Sequence, residues 1–500
     1  MTEAHGFSWP FRRSIPSYLL TRWLFLRLFG LVYLIAFLSL VFQVKGLIGS
    51  QGIMPVQNLL DAASSTYRAE AYHLYPTLSW LNTSDAFLQA LCWGGVIAAL
   101  FVIGDFLTPP ALIVCWVFYL SLAVSGQIFM GYQWDALLLE TGFLAIFFAP
   151  WQILPHLSKQ TEPSWLILWL FRLLLFRLMF GSGVVKLASG DPNWANLTAL
   201  TYHYYTQPLP TPLAWYFHQL PLQFQQLSGV VLFAIELGAP LLIFVPWRRL
   251  RFAGAGAMIF LQILILLTGN YTFFNWLTIA LCLLLLDDDL LRRVLPKRLT
   301  LAVSAEKRPL PRWRQIAIAP LALVLFMLSG LQIIGLFSPI RSLPRPILDV
   351  VIFVSPYRLV NRYGLFAIMT TSRLEITVEG SNDGQTWLPY EFAYKPGDVN
   401  RPPPWVAPFQ PRLDWQMWFA ALGNAAQSPW FGSFIERLLE GSPDVLALLG
   451  THPFPDAPPR YIRAQSYDYT FTDLAARNAT GAWWSSVPVG EYFPATALRN

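Results

Sequence analysis

Charge is scarce in this 500-residue chain: Asp, Glu, Lys and Arg make up only 12% of the residues, about half the share of an ordinary soluble domain. Hydrophobic residues reach 55% and aromatic residues 16%. A soluble globule cannot cover that much apolar surface, whereas a lipid bilayer accepts it. The composition therefore predicts a polytopic α-helical membrane protein. It excludes intrinsic disorder, which requires low hydrophobicity.

Cysteine is also rare, because the chain has only Cys92, Cys115 and Cys282, each inside an apolar run. This excludes a disulfide-linked scaffold. The sequence contains no phosphate-binding loop, nucleophile elbow or metal-ligand spacing, so ATP-driven transport and a metal site have no support, and no cofactor is indicated. The net charge of +6 is spread over short loops, which is typical of membrane orientation rather than of nucleic-acid binding.

Apolar stretches long enough to approach a membrane span recur through the first two thirds of the chain. A spanning helix needs about 20 largely apolar residues. Nine stretches are candidates: 23–42, 86–103, 111–125, 136–148, 165–185, 226–245, 252–268, 273–286 and 316–337. The third, fourth and eighth are short, so they are tilted, re-entrant or extended into their flanks.

Basic residues predict the orientation. The first stretch carries Arg27 and lacks a small-residue cleavage site, so it is an uncleaved anchor. The positive-inside rule places the N-terminus in the cytoplasm. Arg12, Arg13 and Arg22, before the first stretch, give this placement, and nine alternating crossings then put the other charged segments on the same side: Asp105, Lys159, the cluster 248–251 and the stretch 292–314. An odd number of crossings sends the C-terminus to the exoplasmic side.

Two domains are predicted. Residues 1–337 form the helical bundle with exoplasmic loops 44–85 and 186–225, and residues 338–500 form an exoplasmic, β-rich mixed domain. Alternation and turn residues in this second part predict several elements. These are strands at 374–379, 387–394 and 460–471, a turn at 381–384, an extended segment at 401–411, and helices at 415–423 and 430–439.

Charged residues inside apolar stretches are the first candidates for function, because they are costly in a bilayer. Arg172 and Arg177 share the fifth stretch, and Glu140 and Glu236 are candidate counter-ions in the fourth and sixth. Two interpretations remain open. The charges either build a site or only fix the register of neighbouring helices.

Lys186 ends the fifth stretch and is the candidate catalytic base or nucleophile, since a desolvated amine has a lowered pKa. The alternative is an interfacial lysine that extends to the headgroups. Asp135 either caps the fourth helix or pairs with Lys186. His203, in an aromatic loop shared with His218, completes a candidate catalytic set of Lys186, Asp135 and His203.

Seven segments resemble the lipase maturation factor family: 46–55, 133–140, 186–194, 200–221, 361–366, 379–387 and 395–423. In animals, this resemblance implies an endoplasmic-reticulum membrane protein that assists the folding and assembly of secreted lipases and has a lumenal tail. This tail has no cysteine, so a thiol-based role is not expected. The cysteine-poor chain also fits a bacterial inner-membrane protein with a periplasmic domain.

A shorter pattern, residues 183–187 followed by Trp194, is similar to the vitamin K-dependent carboxylase and its horizontally transferred transmembrane relatives. That similarity implies a basic role for Lys186 on a lipid or polypeptide substrate. The main hypothesis is a binder of exported clients and membrane lipids; a carboxylase-like enzyme is the alternative, and a transporter ranks last. The candidate binding residues are Arg172, Arg177, Glu140, Trp134, Trp194, Tyr202, His218, Trp415 and Trp418.

Overall fold

Seven helices are long and apolar enough to cross a membrane in the computed structural model, which describes residues 16–154, 160–297, 309–338 and 344–498. Their mean hydropathy lies between 1.6 and 2.4. Two of the nine predicted stretches form shorter helices, α4 and α8. The bundle helices are α1 (Leu19–Val41), α2 (Asp85–Ile103), α3 (Thr108–Ser125), α4 (Gln133–Phe148), α5 (Trp165–Ala188), α6 (Leu222–Ile243), α7 (Arg248–Thr268), α8 (Phe274–Leu283) and α9 (Arg312–Ile334).

The two short helices connect the same two ends of the bundle as the long ones. Asn270 precedes α8 and donates a hydrogen bond to the carbonyl of Pro404 in the C-terminal region. Asp287 follows α8 and pairs with Arg248 at the opposite end. Likewise, Gln133 at the start of α4 bonds to Gly364. Nine helices of the described residues therefore run through the bundle. That α4 and α8 cross the membrane stays a prediction.

At the end of the bundle away from the C-terminal region, the carboxylate of Asp288 caps the N-terminus of α1. Asp288 accepts hydrogen bonds from the backbone amides of Leu19, Leu20 and Thr21. These amides have no partners within the helix, and an acidic side chain there is stabilised by the helix dipole. At the same end, Arg27 pairs with Asp105. Arg12, Arg13, Lys159 and residues 298–308 of the predicted basic segments lie outside the described residues.

The loops between the bundle helices contain short helices of their own. The first predicted loop holds Val44–Ile48, Val56–Tyr67 and Ala71–Leu74; the second holds Pro192–Ala195, Ala199–Thr206 and Pro212–His218. Asp288–Val294 precedes α9, and Arg345–Val354 follows it. With its three short helices, the second loop packs over the end of the bundle that contacts the C-terminal region.

The C-terminal region contains a four-stranded antiparallel sheet of strand order β2-β1-β3-β4. The strands are β1 (Leu374–Ser381), β2 (Leu388–Pro389), β3 (Tyr461–Phe471) and β4 (Trp484–Thr496). The predictions for β1 and β3 are confirmed. The strand predicted at 387–394 is wrong in extent, because the chain leaves β1 after Tyr390 donates to the carbonyl of Val378, and Glu391 pairs with Thr451 instead. β4 was missed because Pro488 and Gly490 interrupt its alternation.

Helices α10 (Arg412–Ala421) and α11 (Pro429–Leu439) confirm the two helices predicted in this region. The short helices Pro443–Leu446 and Leu474–Thr480 complete it. Helix α11 buries Phe431, Phe434 and Leu438 along one face, the spacing of an amphipathic helix. The buried core is continuous from the bundle into this region. The domain division at residue 337 therefore stays a prediction, with no break in the packing to mark it.

Candidate functional site

A cavity of about 560 Å³ lies among α5, α6, α7, α8 and the second loop. This volume is within the range of roughly 300–1,000 Å³ that small-molecule sites occupy. Most of its lining is apolar. The polar lining side chains include Lys186, His203, Glu236, Gln262, Tyr271 and Asn275.

Lys186 and Glu236 form a buried ion pair in the wall of this cavity. Lys186 Nζ lies 2.8 Å from both carboxylate oxygens of Glu236 and 3.2 Å from the carbonyl oxygen of Ser182. The ring of Trp194 is 5.5 Å from the same nitrogen. Glu236 lies within a π-helical turn of α6, Ala234–Gly238, and such turns are frequent at functional sites. The sequence correctly indicated Glu236 as a counter-ion, but its partner is Lys186.

These contacts occupy all three N–H donors of the Lys186 ammonium group. A lysine base needs surroundings with few anions, because the neutral amine is the active form. The pair with Glu236 does not provide those surroundings, so the catalytic role of Lys186 remains a prediction without geometric support.

His203 borders the same cavity and remains neutral at physiological pH. Burial, together with the charge of Lys186, lowers the pKa of His203 to about 4. Tyr271 lies between Gln207 Oε1, at 2.9 Å, and His203 Nε2, at 3.3 Å. The single hydroxyl proton of Tyr271 goes to the amide oxygen, so Nε2 of His203 donates and Nδ1 is left as an acceptor. That Nδ1 atom is buried and has no hydrogen-bond partner.

Asp135 does not belong to this cavity, and both roles predicted for it are wrong. Helix α4 begins at Gln133 with Tyr132 as its N-cap, and Tyr132 gives no side-chain cap. Asp135 instead receives two hydrogen bonds from Arg412, at 3.0 and 3.2 Å, and one from Tyr119 at 2.5 Å. Both partners of this ion pair are fully buried. The candidate set of Lys186, Asp135 and His203 is therefore not assembled as a single site.

The predicted pairing of charges inside the bundle is correct for one of the two arginines. Arg177 pairs with Glu140 and donates to the carbonyl of Asn361 at 2.7 Å. The other Glu140 oxygen accepts from Tyr363 at 2.8 Å. Arg172 instead donates to the hydroxyl of Tyr18 at 2.9 Å. Glu140 and Arg177 thus attach the segment after α9 to the bundle. A binding role for these residues stays a prediction.

The aromatic residues proposed to bind clients lie mostly in the interior. Trp134 and Trp415 contact each other with ring centroids 4.7 Å apart, and both are buried. Trp418 donates to the carbonyl of Thr206 at 2.8 Å, and Trp194 donates to that of Phe366 at 2.9 Å. The tryptophans therefore join the loops, the bundle and the C-terminal region, and a client-binding role for them stays a prediction.

Tyr202 and His218 belong to the second loop rather than to an open surface. Tyr202 is half-buried and packs against the small core around Trp194. His218 lies with its ring centroid 5.3 Å from Tyr205 and 5.7 Å from Phe471 of β3. The described residues contain no cluster of three or more His, Cys, Asp or Glu that could hold a metal ion. Cys92, Cys115 and Cys282 are free and buried.

Sequence reasoning did not single out Arg412 and Arg373, two buried cations that attach the C-terminal region to the bundle and to the second loop. Arg373 donates to the carbonyls of Tyr205, Gln207 and Pro208 in the second loop. Both arginines are fully buried. Each arginine stands in a polar stretch of sequence, as a surface residue would. Only the tertiary contacts therefore identify the two as buried.

The chain matches two family models and several curated proteins over nearly its whole length. The model described as lipase maturation factor transmembrane domain matches residues 20–293, and the lipase maturation factor C-terminal domain model matches residues 359–494. Lipase maturation factor 2 of Gallus gallus is 38% identical, over 96% of this chain and 82% of that protein. The protein of the same name from Homo sapiens is 36% identical, over 96% and 83%.

Lipase maturation factor 1 of Mus musculus is 35% identical, over 98% of this chain and 89% of its own length. No solved structure matches the chain. These relatives are animal proteins, so they give no support to a bacterial inner-membrane location, and the similarity to carboxylases finds no support either. On both family models and these identities, the chain is a multi-pass membrane protein that belongs to the lipase maturation factor family.

Proposed function

We propose that this protein assists the folding and assembly of exported lipases. Family membership over both the membrane region and the C-terminal region carries the proposal, because the relatives are named for lipase maturation. The geometry favours a client-binding protein over an enzyme, since Lys186 and Asp135 lie in two separate ion pairs, each with its own partner. The animal relatives favour the endoplasmic-reticulum membrane as the location, with the C-terminal region in the lumen.

The surface that we assign to client contact is the free edge of β4. Among the described residues this strand ends the sheet, and it has a neighbouring strand, β3, on one side only. Val487 and Val489 on it are 60% and 59% exposed. An exposed edge strand accepts an extended segment of another chain through main-chain hydrogen bonds. A partly folded lipase offers such segments.

The proposal is tested in cells that lack the gene for this protein and secrete a lipase. Restoring the full chain is expected to raise the activity per secreted lipase molecule, while a secreted non-lipase control is unchanged. Lipase of unchanged specific activity in the absence of this chain would contradict the proposal.

The client surface is tested with the double variant Val487→Lys and Val489→Lys, which places two charges along the edge. We expect cross-linking to newly made lipase to fall severalfold. Leu474→Lys is the matched control, because Leu474 is a 54% exposed apolar residue of the same region outside the strand. Equal loss in the control would refute the assignment to β4.

A further inference from the structure

The cavity beside Lys186 has an opening at the lateral surface of the bundle. Phe224 and Leu227 on α6 and Phe260 on α7 line it and are 39%, 60% and 51% exposed. Residues 239–243, the last part of α6, pack against α7. The opening between the two helices therefore lies along the first part of α6, nearer the end of the bundle that the second loop covers. Apolar residues at such an opening face lipid chains in a bilayer.

Two residues of this mostly apolar lining carry polar atoms without a hydrogen-bond partner. His203 Nδ1 and Asn275 Oδ1 are buried and have no hydrogen-bond partner. Asn275 Nδ2 donates to Gln262 Oε1 at 2.6 Å, so the other half of its amide remains free. A buried polar atom without a partner is costly, and such atoms are rare in proteins. A ligand that supplies hydrogen bonds would remove this cost.

The charges of the cavity select against an ionised headgroup. Lys186 and Glu236 neutralise each other, and the hydrogen-bonding capacity of the ammonium group is used. A phosphate would meet the Glu236 carboxylate without a free cation to balance it. A hydroxyl group carries no charge and has one proton, so it donates to one acceptor, His203 Nδ1 or Asn275 Oδ1, and accepts from the second N–H of Asn275 Nδ2.

We propose that this cavity binds a single uncharged lipid with a hydroxyl-bearing head, of the diacylglycerol type. The hydroxyl group lies against His203 and Asn275, and the two acyl chains extend out of the cavity between α6 and α7. The proposal does not depend on the lipase-related function, because its test measures lipid binding alone.

The test uses the full chain in phosphatidylcholine nanodiscs with a diacylglycerol that carries a diazirine on one acyl chain. Photolabelling is expected at residues that line the cavity, and excess unlabelled dioleoylglycerol is expected to reduce it. A phosphatidylcholine with the same diazirine chain is expected to label the cavity at least about tenfold less. Equal labelling by the two probes, or no competition by dioleoylglycerol, would overturn the proposal.

Two kinds of variant locate the site. Ser228→Trp fills the cavity and is expected to abolish the diacylglycerol labelling, whereas Val230→Trp, an exposed position on α6 outside the lining, leaves it unchanged. His203→Phe and Asn275→Leu each remove one hydrogen bond and are expected to weaken labelling roughly two- to tenfold. Full labelling of Ser228→Trp, in protein that elutes as a single folded species, would show that the ligand binds elsewhere.

Discussion

At the scale of single residues, Lys186 shows how a partner decides the role of a charged side chain. The sequence indicated a lysine at the end of an apolar helix, a position compatible with a base, an ion pair or a headgroup contact. In the structure Lys186 is 5% exposed and meets Glu236 with both oxygens at 2.8 Å. The pair joins α5 to the π-helical turn of α6, and its geometry indicates a structural contact.

Removing only one member of this pair is expected to be more damaging than removing both. Lys186→Met leaves the Glu236 carboxylate buried without a partner, and the loss of stability is expected to be about 3–5 kcal/mol. The double variant Lys186→Met, Glu236→Leu is expected to recover most of that loss. The measurement is thermal unfolding of the detergent-solubilised protein. A double variant that is no more stable than the single one would contradict this interpretation.

His203 provides a pH-dependent prediction. Its pKa is about 4 in the folded protein and 6.5 in the unfolded chain, so between these values only the unfolded state takes up the proton. The free energy of unfolding therefore falls as the pH decreases from 7 to 4, by up to about 3 kcal/mol from this residue, since one pKa unit corresponds to about 1.4 kcal/mol.

His203→Phe removes this proton uptake. We expect the stability of the variant to change less than that of the wild type between pH 7 and pH 5, whatever its absolute level. The check is the pH dependence of the unfolding temperature for both proteins in the same detergent. Parallel curves would show that His203 does not have the lowered pKa.

At the scale of elements, helix α10 attaches the C-terminal region to the bundle through several buried contacts, and one of them is an ion pair. Arg412 begins this helix and binds Asp135 of α4 in a bidentate arrangement, with both side chains fully buried. Its guanidinium also donates to the carbonyl of Phe129 at 2.6 Å. The contact links residues 277 positions apart in the sequence.

Arg412→Met is expected to destabilise the protein by about 3–5 kcal/mol, because Asp135 is left charged and buried. Arg463→Met is the matched control, since Arg463 pairs with Glu379 at a partly exposed site and such a pair contributes at most about 1 kcal/mol. Limited proteolysis of the C-terminal region, together with thermal unfolding, measures both effects. Equal sensitivity of the two variants would contradict the role of Arg412.

At the scale of the whole molecule, the two ends of the bundle are expected to face opposite compartments. The C-terminal sheet and the second loop share one end, and Asp287 and Asp288 share the other. The basic cluster at Arg248 and Arg251 lies at this second end, which the positive-inside rule assigns to the cytoplasm. An odd number of crossings, including α4 and α8, gives this arrangement.

Single cysteines test the arrangement in sealed vesicles with a membrane-impermeant maleimide. Thr386→Cys in the C-terminal region and Arg293→Cys at the opposite end are both exposed positions. We expect one to react in sealed vesicles and the other only after detergent is added. The three native cysteines are buried and act as a silent background. Reaction of both positions from the same side would refute the crossing by α9 and the opposite placement of the two ends of the bundle.

Much of the architecture was predictable because it depends on local pattern. Scarce charge and long apolar runs determine that the chain lies in a membrane, since the bilayer accepts apolar surface. Alternation determined β1 and β3, and apolar spacing determined α10 and α11. Pro488 and Gly490 obscured β4 because they break the alternation without ending the strand.

Only the tertiary structure decided which charges meet. Lys186 pairs with Glu236 rather than with Asp135, and Asp135 pairs with Arg412. These choices depend on how the helices are rotated and which of them are neighbours, and they join residues 50 and 277 positions apart. The same packing buried Trp134, Trp415 and Trp418 and left a cavity with unpaired polar atoms. A local sequence pattern contains no information on these contacts, because each requires two distant segments to be in place.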